Sequence, residues 1–150
     1  MFKHATTLIV MVAVTATLCA QVRTLAQAET PKSKVLAMLQ GTWVFTSQDG
    51  QDLSGGPQIT VTVVDNTYTQ MVNGQLAERG TFKIDETKKP MTVDLSVSEG
   101  EDAGKTQLGI FEITDTTMKA KLTQPGGTMR PTDFAVADGY SVITATKRAK

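Results

Sequence analysis

Cysteine, histidine and tryptophan each occur once in this 150-residue chain. Cys19 and His4 both precede residue 29, so residues 29–150 hold neither a thiol nor an imidazole. That removes disulfide support, the cysteine nucleophile and the usual base for a serine or threonine nucleophile. It also removes the nitrogen and sulfur ligands that zinc and copper prefer. A Ser–Lys pair is the nucleophilic option left, and no motif marks one. Charge of one sign is lacking as well. Residues 29–150 carry thirteen Lys and Arg against fifteen Asp and Glu, a net charge of −2. A nucleic-acid binder shows a basic patch, and the longest basic stretch here is Lys147-Arg148 with Lys150, read as a solvated tail. No apolar run reaches the roughly 20 residues of a membrane-spanning helix.

The N-terminus has the three parts of a secretory signal. Lys3 gives a basic start, Ala5–Ala20 carry no charge with Leu8–Val14 as their apolar centre, and Ala26-Gln27-Ala28 is a small-x-small cleavage site. Residues 1–28 are therefore expected to be a signal peptide, and the protein to be exported, periplasmic or secreted. Leu18 stands where a lipoprotein signal needs a small residue, which argues against lipidation at Cys19. Residues 29–150 have the length of one domain.

Within them, Lys34–Gln40 have a helix-compatible apolar pattern, with Ser33 placed to cap the start and Gly41 to stop it. From Gly41 onward β-branched residues alternate with polar ones, the texture of strands. Eight strands are expected: Thr42–Gln48, Gln58–Val64, Thr67–Val72, Leu76–Ile84, Met91–Ser98, Thr106–Thr114, Thr117–Gln124 and Tyr140–Lys147. Asp49–Pro57 is read as a loop, Asn73-Gly74 as a two-residue hairpin turn, and Pro125–Gly139 as a long connection. Short links make sequence neighbours pair antiparallel. The fold class is thus all-β: an eight-stranded antiparallel up-and-down barrel with a short N-terminal helix, closed so that no edge is left open.

Six short motifs follow one another in order: Leu39-Gln40-Gly41-Thr42-Trp43, Asp49-Gly50, Gly80-Thr81-Phe82-Lys83-Ile84-Asp85, Lys89-Pro90 with Val93-Asp94-Leu95, Gly109–Ile113, and Arg130-Pro131-Thr132-Asp133-Phe134. A Gly-x-Trp after a short helix and before an eight-strand meander resembles the lipocalin signature. More closely, the chain resembles a lipocalin-like family of exported bacterial proteins expanded in planctomycetes. The resemblance implies a lipocalin-like barrel and brings no activity with it. It makes Gly41, Trp43, Gly80, Phe82, Arg130, Pro131, Phe134 and Arg148 the structural signature. Arg148 is the expected cation against the Trp43 ring, with Lys147 as the competitor. Such a pair contributes about 0.5–2 kcal/mol, depending on desolvation. Phe134 is expected to anchor the Pro125–Gly139 connection.

The acidic groups Glu99, Glu101, Asp102 and Asp49, Asp52 offer oxygen ligands without calcium-loop spacing and read as solvated loops. Gly55-Gly56 and Gly126-Gly127 read as turns, with no phosphate-binding context. No catalytic residue, metal site or cofactor is expected. Alternation gives one face clearly in three strands: Ile59, Val61, Val63; Val93, Leu95, Val97; and Met118, Ala120, Leu122. In the sixth strand both Ile110 and Phe111 are apolar, and the face stays open. An eight-stranded barrel either fills with side chains or holds one small ligand. Two functions follow. The first is a non-catalytic exported domain binding a small apolar or amphipathic molecule between these walls. The second is an interaction module for a protein or envelope component, with a filled barrel.

Overall fold

The computed structural model describes residues 33–149; the expected signal peptide, residues 1–28, lies outside them. A six-residue helix, α1 (Lys34–Leu39), is capped by Ser33, whose hydroxyl oxygen accepts from the Leu36 amide. Nine strands follow: β1 (Gly41–Gln48), β2 (Gln51–Asp52), β3 (Ile59–Val64), β4 (Thr67–Val72), β5 (Gln75–Asp85), β6 (Met91–Gly100), β7 (Thr106–Ile113), β8 (Thr117–Thr123) and β9 (Tyr140–Lys147). The order is β2-β1-β3-β4-β5-β6-β7-β8-β9, every pairing is antiparallel, and β1 also pairs with β9. The last pairing closes eight strands into a barrel, with β2 as an appendage.

The appendage corrects the reading of Asp49–Pro57 as plain loop. Asp49 and Gly50 have φ of 51° and 80°, and they join Gln48 directly to Gln51. This is the same positive-φ two-residue hairpin that Asn73 (50°) and Gly74 (79°) form between β4 and β5. The Asp49 carboxylate also accepts from the Val142 amide at 2.7 Å, tying this turn to β9.

Three register shifts interrupt the ladders, at Phe45/Ser47 in β1, Gln70/Met71 between β4 and β5, and Arg79/Gly80 between β5 and β6. Each puts two residues opposite one and bends the strand locally.

Inward-facing side chains form the core: Trp43 and Phe45 of β1, Val63 of β3, Tyr68 of β4, Phe82 of β5, Val93 of β6, Phe111 of β7, Ala120 and Leu122 of β8, and Ala145 of β9. Leu39 of α1 joins them. Trp43 is wholly buried. Its indole N–H donates to the Leu39 carbonyl at 2.8 Å, and the Lys147 ammonium lies 5.3 Å from the ring centroid. Lys147 also donates to the Met38 carbonyl at 2.7 Å. The cation on Trp43 is therefore Lys147 and not Arg148, whose side chain is exposed. The ladder explains the choice. Lys147 is the direct cross-strand partner of Trp43 and shares its face, and Arg148, one residue on, points away.

Candidate functional site

The barrel interior holds an apolar cavity of about 110 Å³. Seven of the nine wall residues expected from alternation line it: Val61, Val63, Val93, Leu95, Met118, Ala120 and Leu122. Ile59 is buried in the same core but does not reach the cavity. Val97 is likewise buried without lining it. Phe82 of the signature motif is a wall residue.

Six further lining residues escape the alternation argument: Leu39, Phe45, Tyr68, Gln70, Ile84 and Phe111. The β7 ambiguity is settled by register. Phe111 stands opposite Ala120 and points inward; Ile110 stands opposite Lys121 and points outward. Ile110 is nonetheless 2% exposed, so burial alone would not have told the two apart.

The helix α1 lies across one end of the barrel. The Gln40 side chain accepts from the Asp65 amide at 2.7 Å and donates to the Asp65 carbonyl at 3.1 Å, and the Ser33 hydroxyl donates to Glu86 at 2.8 Å. Asp65 and Glu86 sit in the turns after β3 and β5, at the same end. Leu39 closes the cavity there.

Along the wall of β4 the lining becomes polar. Tyr68 and Gln70 are the lining residues that carry side-chain oxygen or nitrogen. The Tyr68 ring lies over Gly80, its cross-strand partner, and its hydroxyl donates to Glu78 Oε1 at 2.5 Å. Any side chain at position 80 would collide with that ring, which explains the glycine in the Gly80-Thr81-Phe82 motif. Burial and the neighbouring Glu78 carboxylate both hold the Tyr68 proton more tightly than in a free phenol.

Gly41 shares the Trp43 face, where a Cβ would meet the Lys147 stem at 3.3 Å; Arg130, Pro131 and Phe134 lie on the outer face. The connection between β8 and β9 folds back over β6–β9. The Arg130 guanidinium donates to the Val93 carbonyl (3.0 Å), the Gly109 carbonyl (2.7 Å) and Asp94 Oδ1 (2.5 Å). Pro131 is buried, whereas Phe134 is only half-buried, under the Lys119 ammonium 5.2 Å from its ring. The anchor expected at Phe134 is thus shared, with Arg130 and Pro131 holding the start of the segment. Lys121, 4% exposed, points into this outer layer, pairs with Asp133 at 3.2 Å and lies 4.7 Å from the Tyr140 ring. The Asp133 carboxyl titrates below the ordinary aspartate range, because it accepts from the Ala135 amide and from Lys121.

Four of the five acidic loop residues have local partners, Asp49 among them as described above. Glu99 pairs with Arg79 and Asp102 with Lys105, each at 2.8 Å, and Asp52 accepts from the Ser54 amide at 2.6 Å. Among the described residues no group of three or more acidic side chains is placed to hold a metal ion. Compared with family models, curated proteins and solved structures, the chain gives no match.

Proposed function

We propose that this protein is an exported, non-catalytic, lipocalin-like barrel that binds a small apolar or amphipathic molecule in its interior. The observation that carries the reading is the cavity of about 110 Å³, walled almost entirely by aliphatic and aromatic side chains. Sites for drug-sized ligands run to about 300–1,000 Å³, so the occupant is smaller. An apolar cavity of about 150 Å³ holds benzene, which sets the scale here at one ring or one short chain.

Nuclear magnetic resonance titration of the purified protein with toluene tests this directly. The expected result is saturable shifts confined to the methyl groups of Val61, Val93 and Leu122, abolished in Ala120→Trp while the rest of the spectrum is retained. Absence of saturable shifts refutes the pocket and favours the interaction module. The export half of the reading has its own measurement: the intact mass of the exported chain corresponds to a start at Glu29, and a retained Met1 contradicts it.

A further inference from the structure

The apolar cavity is chemically lopsided. The lining residues whose side chains carry oxygen or nitrogen are Tyr68 and Gln70, two positions apart on one strand and therefore on one side of the wall. Directly opposite Gln70 on β5 stands Glu78. Cross-strand partners share a face with their Cβ atoms about 4.5–5.5 Å apart, so the Glu78 side chain leaves the sheet on the same side as Gln70. Tyr68 is a lining residue and Glu78 is not; the Tyr68 hydroxyl bridges the two, donating to the Glu78 carboxylate at 2.5 Å. Gly80 makes that reach possible by leaving the phenol ring room to lie flat along β5.

Glu78 is half-buried and belongs to none of the four ion pairs among the described residues. The cation next to it in sequence, Arg79, is turned to the other face, where it pairs with Glu99 and donates to Thr69. An ionised carboxylate has about four lone-pair sites and accepts only; Tyr68 uses one of them. The site therefore has acceptor capacity and negative charge beside an apolar hole, with no cation of its own.

We infer that Glu78, Tyr68 and Gln70 form a head-group subsite that selects a small amphipathic amine. Its ring or short chain fills the cavity, and its ammonium donates to the Glu78 carboxylate and the Gln70 side-chain carbonyl. Tyr68 positions the carboxylate and does not itself supply charge. The inference rests on the interior being a binding site at all, and the test separates the two. The probes are toluene, benzyl alcohol, benzylamine and benzoate, of matched ring and graded head group, titrated into the purified protein at pH 7.

A charge-assisted hydrogen bond makes benzylamine bind at least about tenfold more tightly than toluene. Benzyl alcohol falls between them and benzoate binds weakest. Glu78→Gln lowers benzylamine to the level of toluene and leaves toluene unchanged. Tyr68→Phe, which frees the carboxylate from the phenol, retains the preference for the amine. If toluene binds and benzylamine gains nothing, or if Glu78→Gln leaves their ratio intact, the head-group subsite is wrong and the pocket stands. If no probe binds, both readings fall. The order of the four probes on the wild-type protein decides the inference even if Glu78→Gln does not fold.

Discussion

Replacing Gly80 with alanine tests the interior geometry at a single atom. The added Cβ falls 2.9 Å from both Cε1 and the hydroxyl oxygen of Tyr68, and well inside contact distance of the Ser96 carbonyl oxygen. The ring could swing away, but the carbonyl belongs to β6, which is locked to β5 on one side and β7 on the other. One obstacle is thus side chain and the other is backbone. Overpacking costs typically about 1–3 kcal/mol, and the fixed carbonyl places this substitution at the upper end, about 3 kcal/mol. For a domain of this size that is a loss of roughly 12 °C in midpoint temperature. Urea unfolding followed by the fluorescence of Trp43, the single tryptophan and wholly buried, gives the measurement. Gly55→Ala is the control, because a Cβ there meets nothing within 4 Å, and its expected change is small or stabilising by about 0.4–1 kcal/mol. If Gly80→Ala costs no more than Gly55→Ala, the Tyr68 ring does not lie over Gly80 and the placement of its hydroxyl against Glu78 is wrong.

Trp43→Ala removes a fully buried indole and its hydrogen bond to Leu39, so a loss of about 3–5 kcal/mol in chemical unfolding followed by circular dichroism is expected; a change near zero would contradict the burial. The Asp133–Lys121 pair gives a pH signature in the connection between β8 and β9. Because the folded pKa of Asp133 is depressed, its contribution is present above the ordinary aspartate value of 3.8 and disappears as pH falls through the lower folded value. Hydrogen exchange of residues 125–139 is therefore expected to speed up in that window. Asp133→Asn, which strands a buried ammonium, is expected to loosen the segment more than Lys121→Met, which leaves the carboxylate in water. Equal exchange in both variants would show that the pair does not hold the connection.

The alternation of small apolar and polar residues made the strands readable, because in a barrel every inward position obeys the same period of two. Val61, Val93 and Ala120 were legible for that reason. Tyr68 and Gln70 occupy inward positions by the same period, yet polarity hid them. A polar wall residue has the composition of an outer face, and only the pairing of Gln70 with Glu78 shows where both point. Ile110 was ambiguous because the barrel has a second apolar layer, outside β7–β9 and under the connection that follows β8; alternation assumes that the outer face meets water. The Asp49-Gly50 hairpin had a clear signal in its dipeptide, obscured by the glycine- and aspartate-rich residues that follow. Arg148 was misassigned because the choice between two adjacent cations turns on a one-residue register that composition does not encode.

The pairing of β1 with β9 joins Val44 to Thr146, about a hundred residues apart in the chain. Contacts of such long sequence separation form late and slowly. Until β9 is in place, β1 and β8 each present a row of unpaired backbone groups, and such open edges invite association with other chains. A chain cut short before Tyr140 is thus left aggregation-prone rather than merely less stable. The residue that completes the seam, Lys147, also reaches back to the Met38 carbonyl and the Trp43 ring. Lys147 thereby links the closing strand to the end of the helix, so the same residue that seals the barrel wall also adds a contact at its covered end.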